Sequence, residues 1–177
     1  MQLLDVDELH QEINNLARLI NAPRQYMPSL NYPIGDATPF IEIASDCYCY
    51  IISERGKEYE RRSTKDIHEL LYWIFEDITW IMSIEYEVKN RIENKDGRRM
   101  SFSKQEELLG VLNPEWTNRC ARKHHEILNE HPFDDLGGMR AKYCAELRKS
   151  GMKEADIWEK ALDKYPNTIS SSSSGVA

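Results

Sequence analysis

Apolar residues fall at helical spacing over most of the chain and at a strand's two-residue spacing over one stretch around residues 40–62. Leu9, Ile13, Leu16 and Ile20, preceded by acids, predict an amphipathic helix over Asp5–Asn21. Pro23, Pro28, Pro33, Gly35 and Pro39 make residues 22–39 a loop. Phe40–Ala44, Cys47–Glu54 and Lys57–Arg62 then predict three antiparallel strands, with turns at Ser45-Asp46 and Arg55-Gly56. Two-residue loops pair Ile43 with Tyr48, Ile41 with Tyr50 and Ile52 with Tyr59, which gives one apolar face directed at a core. The opposite face then carries Phe40, Glu42, Cys49, Ile51, Ser53, Glu58 and Glu60.

A long helix follows over roughly Lys65–Ile92, with Thr64 as its predicted N-cap. Ile67, Leu70, Leu71, Ile74, Ile78, Ile81, Met82 and Val88 form a stripe that Trp73, Phe75, Trp80, Ile84 and Tyr86 widen nearly all round. A helix apolar on most sides is central to its domain. Asn94–Gly97 breaks it, and further helices are predicted over Arg98–Leu112 and from Pro114 to about His131. Gly137-Gly138 marks an internal boundary. Beyond it, Met139–Lys149 and Lys153–Lys164 predict a helical hairpin. The expected fold is therefore α+β and predominantly α: a three-stranded antiparallel meander packed on a helical bundle with a long central helix. It divides into a domain over 1–135, a hairpin over 136–166 and a flexible serine-rich tail over 167–177.

At 177 residues the chain is long enough to bury a core without disulfides or metal. No uncharged stretch approaches the ~20 residues of a membrane-spanning helix. The first residues lack the basic start of a signal peptide. A cytoplasmic, soluble protein with four free cysteines is expected, with no membrane association. The net charge of −7 opposes binding to a phosphate backbone. Residues 1–54 carry most of that excess, with eight acids against two bases. Such a surface favours a basic partner.

Catalytic signatures are missing. No glycine-rich phosphate loop, G-x-S-x-G or H-E-x-x-H occurs. Cys120 and His124 share a helical face and, with Cys47 and Cys49, make the best set of metal-ligand types. However, the register turns both strand cysteines away from the helices, so neither metal nor cofactor is expected. The basic run Lys89, Arg91, Lys95, Arg98 and Arg99 sits at a helix C-terminus, where bases suit the dipole and pair with nearby acids. That reading leaves no nucleic-acid partner.

Several separated pieces together resemble a known family. They are Glu54-Arg55-Gly56 followed by Arg61 or Arg62; Glu69-Leu70-Leu71-Tyr72-Trp73-Ile74-Phe75; Arg91; Asp96 with Arg98-Arg99; Phe102; Lys104-Gln105; Leu108-Leu109; and His131-Pro132-Phe133-Asp134-Asp135. In order and spacing, over about Pro39–Asp135, they resemble the immunity protein 63 family of bacterial polymorphic-toxin systems. The resemblance implies a non-enzymatic antitoxin that binds a cognate toxin domain and so protects the producing cell and its siblings. A small cytoplasmic enzyme and a general protein-interaction adaptor are the alternatives. The motif residues themselves read as scaffold: a turn at Gly56, core at Trp73 and Phe75, and ion pairs at the arginines.

The toxin-binding surface expected from the strand register is the meander's outer face. There Phe40 and Ile51 form an apolar centre within a rim of Glu42, Glu58 and Glu60 suited to a basic partner. The polar side of the long helix is the second candidate.

Overall fold

A computed structural model of the protein describes residues 3–167. Apart from its first residue, the predicted serine-rich tail lies outside the described residues. Six α-helices are described: α1 (Val6–Leu19), α2 (Ile67–Asn90), α3 (Arg98–Leu112), α4 (Pro114–Glu130), α5 (Gly137–Lys149) and α6 (Glu154–Lys164). The strands are β1 (Ser29–Leu30), β2 (Phe40–Ile43), β3 (Tyr48–Glu54) and β4 (Lys57–Thr64). The α+β class holds, but the sheet has four strands rather than three, in the order β1-β2-β3-β4. The additional strand pairs in parallel with β2, Ser29 beside Phe40 and Leu30 beside Ile41. Two residues flanked by Pro28 and Asn31 are too few to show a two-residue alternation, so this stretch reads as loop.

The meander's register follows expectation through its first pairing. Ile41 faces Tyr50 and Ile43 faces Tyr48. The β3–β4 turn places Arg55 and Gly56 both at positive φ, as a two-residue hairpin turn requires. Beyond that turn the expectation fails. Ser53 pairs with Glu58 but Ile52 pairs with Glu60, so Tyr59 is the extra residue of a β-bulge. Tyr59 is therefore not part of the core face and is 61% exposed. Glu60, expected on the outer face, shares the inner one with Ile52.

Asp5 caps α1 through a reciprocal box with Glu8, and Leu9, Ile13, Ala17 and Ile20 on its apolar side join the core. The α2 N-cap is Asp66, whose carboxylate accepts from the His68 amide, while the Thr64 hydroxyl accepts from the Asp66 amide. From Leu70 to Phe75 every residue of α2 is buried. Tyr50 meets Trp73 edge-on, and Trp116 of α4 stacks on Phe75. Burying side chains of this size contributes roughly 1.5–3 kcal/mol each. The N-terminal half of α2 is thus enclosed by the sheet, α1, α3 and α4.

Along its C-terminal half α2 turns small residues, Thr79 and Ser83, into the interior, and their hydroxyls bond back to the carbonyls of Phe75 and Trp80. At Gly97, just before α3, a Cβ would lie 2.7 Å from Glu87 Oε1, so a larger residue there would displace the carboxylate that binds Arg91. The α5–α6 hairpin buries Cys144, Leu147, Ile157 and Ala161 in a small cluster separate from the main core. Gly137 and Gly138 lie inside the first turn of α5 rather than before it.

Candidate partner surface

On the outer face of the meander, Phe40, Ile51 and Arg61 lie side by side on adjacent strands, as do Glu42, Cys49 and Ser63. Ile51 is fully buried there, so it offers no apolar centre to a partner. Arg61 binds both acids of this face, Glu58 at 2.9 Å and Glu42 at 3.5 Å. The Arg61 hydrogen bonds hold the Glu58 carboxyl below its ordinary range. Of the five residues expected to bind a partner, Phe40, Glu42, Ile51 and Glu58 do share one face; Glu60 does not. The acids among those four are neutralised by a base that the earlier strand pairing kept out of the set.

A second charged region lies where the α2–α3 turn meets the α4–α5 loop. Asp135 accepts from the Asp96 amide, Arg99 Nε and Lys95 Nζ at 2.9, 2.9 and 3.1 Å. Asp96 in turn accepts from the Asp134 amide and from the Arg98 guanidinium. Arg98 donates onward to the carbonyls of His131 and Pro132. Buried Arg140 of α5 closes the array, bonding Asp134 Oδ2 at 2.6 Å and the Tyr165 carbonyl at 2.9 Å. This clasp absorbs Asp96, Arg98, Arg99, Asp134 and Asp135 of the charged residues that carry the family resemblance, and Arg91 is bound bidentately by Glu87 alongside. Every base of the run Lys89, Arg91, Lys95, Arg98 and Arg99 has an acidic partner. The Asp135 carboxyl is held well below the ordinary carboxylate range by Arg99, the Asp96 amide and Lys95.

The third region is unlike both. Asp77, Trp80, Ile81, Ile84 and Val88 stand at i, i+3, i+4, i+7 and i+11, one face of α2. Trp80, Ile81, Ile84 and Val88 are 41%, 40%, 37% and 59% exposed. The apolar stripe of α2, expected to be buried along its whole length, is therefore exposed at these four positions over its last turns. The reason is length. A 24-residue helix extends about 36 Å, whereas the seven residues of β3 extend about 23 Å, so the sheet leaves the end of α2 bare.

Where sheet and helix part, they leave a groove of about 240 Å³ whose lining includes Tyr26, Pro39, Ile52, Asp77, Trp80 and Ile81. Asp77 accepts a hydrogen bond from the Tyr50 hydroxyl, and Glu85 accepts one from Tyr26. Burial raises the Asp77 carboxyl above its ordinary range, against the opposing pull of that hydroxyl and of Arg62. Arg62 lies over the rings of Tyr50 and Trp73, with Nε 2.8 Å from Glu60. Among the described residues Asp77 forms no ion pair.

Reading the sequence did not single out this surface. The spacing of an aspartate among four large apolar residues on one helical face was the available signal, and it was absorbed into an all-round core helix.

The cysteines and His124 are accounted for by packing. His124 stacks flat on Phe102 at 3.9 Å and meets Glu106 and Gln105 through its two ring nitrogens. Cys120 Sγ lies 3.5 Å from the same ring, and burial pushes its thiol up to about 12. Cys47 and Cys49 adjoin each other, and Cys49 adjoins Ser63. Among the described residues no three ligand-type side chains converge as a metal ion needs, and no helix is long and apolar enough to cross a membrane.

Comparison of the chain with curated proteins gives no match, and neither does comparison with solved structures. A family model does match: residues 45–126, spanning β3, β4, α2, α3 and most of α4, fit the family described as immunity protein 63, and over that segment the resemblance read from the sequence holds.

Proposed function

We propose that this protein is an immunity protein that binds and neutralises a cognate bacterial toxin domain, protecting the cell that makes it and its siblings. The family match over residues 45–126 carries the reading. Neutralisation is by binding rather than by catalysis, and the protein works in the cytoplasm, where an incoming toxin meets its target.

The bare end of α2 is the docking surface we favour. Exposed Trp80, Ile81, Ile84 and Val88 form a contiguous apolar stripe inside the matched segment. Large apolar side chains at the centre of a contact, with charge at its rim, are the common anatomy of protein interfaces. Tryptophan is prominent among the residues whose removal costs most affinity. The outer face of the meander, with Phe40, Glu42 and Glu58 exposed to some degree, is the comparison surface. The net charge of −7 supports a basic toxin surface and speeds its encounter at low salt.

The test is co-expression with the toxin domain encoded beside this gene. Growth is expected to be restored, and the two proteins to co-purify. A toxin that still kills, with no complex at micromolar concentration, would overturn the reading. A metabolic operon in place of a toxin gene would favour the enzyme alternative.

A further inference from the structure

We infer that the groove between the sheet and α2 is an anchor pocket for a single basic side chain, arginine or lysine, presented by the bound toxin domain. The inference rests on the immunity reading and deepens it by naming what the partner inserts.

The pocket is made of two unlike parts. Its walls are apolar: Pro28, Pro39, Ile52, Ile81 and the Trp80 ring line it. Such walls suit the methylene stem of a long basic side chain, and the indole face attracts its cationic head. Its one carboxylate is Asp77. One Asp77 oxygen, Oδ2, accepts from Tyr50. Among the described residues no donor reaches Oδ1.

Among the described residues many other acids are ion-paired, and those that are not, such as Glu12, Asp36 and Asp66, do not line this pocket. Glu42, Glu58, Glu69, Glu76, Glu87, Asp96, Asp134 and Asp135 each have an arginine or lysine within ion-pair distance. Arg62, the base whose charge bears on Asp77, is drawn off toward Glu60 and the Tyr50 and Trp73 rings. A carboxylate half-buried without a cation is costly, and its raised proton affinity reflects that cost. An incoming cation removes the cost and gains a charge-assisted hydrogen bond in a partly dry site. A neutral side chain of the same shape gains only the walls.

Charge and shape can be separated with n-butylguanidinium and its neutral counterpart n-butylurea. Each is titrated into the full-length protein while the methyl resonances of Ile52, Ile78 and Ile81 are followed. Butylguanidinium is expected to shift these methyls and to bind about tenfold more tightly than butylurea. Asp77→Asn retains an acceptor for Tyr50, so it should fold normally and abolish the difference. Equal binding of the two probes, or no shift with either, overturns the pocket.

With the toxin domain encoded beside this gene, Asp77→Asn should weaken binding about tenfold, and Ile81→Asp should weaken it further. If the wild-type protein binds and neutralises the toxin while Asp77→Asn does so equally well, the anchor falls and the immunity reading stands. If the wild-type protein does not bind the toxin, the reading falls and takes the anchor with it.

Discussion

The clasp at residues 91–140 and the groove beside Asp77 contain the same kinds of residue used in opposite ways. In the clasp, each carboxylate meets several donors, and each base spans two segments of chain. Asp135 alone joins Lys95, the Asp96 amide and Arg99, and Arg140 ties Asp134 to the carbonyl of Tyr165. In the groove, Asp77 meets a hydroxyl and apolar walls. Satisfied charges hold a fold together and leave little for a partner to gain. An unsatisfied charge beside bare tryptophan and isoleucine leaves a great deal. The charged motif residues gathered in the clasp therefore serve the scaffold, while the docking surface we favour is built from other residues, Asp77, Trp80, Ile81, Ile84 and Val88, that lie within the matched segment.

The largest expected effect on stability is in the clasp. Arg140→Met leaves Asp134 without its cation and the Tyr165 carbonyl without its donor. Removing one partner of a buried pair costs about 3 kcal/mol. Urea unfolding should show that loss, while affinity for the toxin domain changes by no more than a few fold, since the contacts of Arg140 are Asp134, Tyr165 and Trp158 and include no residue of the α2 stripe. A large loss of affinity would tie the hairpin to the partner surface.

Removal of residues 137–177 tests the same region more coarsely. The main core holds no residue from α5 or α6, so the truncated protein should still unfold cooperatively. Loss of cooperativity would make Ile157 and Ala161 part of the principal core.

The sheet, α2 and the hairpin were legible in the sequence because strand alternation, helical spacing and glycine turns are local signals. Ile41, Tyr48 and Tyr50 were assigned to the core from alternation alone, and they are buried. In β4, what went astray depended on one inserted residue. The bulge at Tyr59 shifts β4 by one position, sends Glu60 to the inner face and brings Arg61 between Glu42 and Glu58. A bulge has no fixed composition, and the two-residue turn beside it was correct. The α2 surface was missed for a different reason. Periodicity reports that a helix is apolar, but only the dimensions of its neighbours decide which of its turns they cover.

The pH dependence of stability distinguishes the two regions by sign. The folded pKa of Asp135 is depressed, so its contribution is present above the ordinary value of 3.8 and is lost as pH falls through the folded value. Asp135→Asn should therefore be less stable than wild type at pH 7, with the gap closing in acid. The folded pKa of Asp77 is raised, so its ionised form costs stability at neutral pH, and that cost is relieved as pH falls through the raised value toward 3.8. Asp77→Asn should be at least as stable as wild type at pH 7, with any advantage fading by pH 3. Denaturant unfolding across this range checks both, and the same sign for the two variants would erase the distinction between clasp and groove.

The smallest effects are expected on the outer face of the sheet. Glu42→Lys and Glu58→Lys each remove one contact of Arg61 at an exposed site, where an ion pair is worth about 0.2–1 kcal/mol. The charge change should slow association with a basic toxin and flatten its salt dependence, with little change in dissociation.

The most direct test compares the two surfaces against one toxin domain, the one that growth-rescue and co-purification assays identify as the partner of the wild-type protein, using variants first shown to be folded. Ile81→Asp places a charge in the exposed apolar stripe of α2 and should cost at least about 2 kcal/mol of affinity, roughly thirtyfold, with rescue of growth lost in parallel. The double variant Glu42→Lys/Glu58→Lys should keep its rescue and nearly all its affinity. Full protection by Ile81→Asp together with loss of binding in the double variant would contradict the account and return the partner to the face of the sheet.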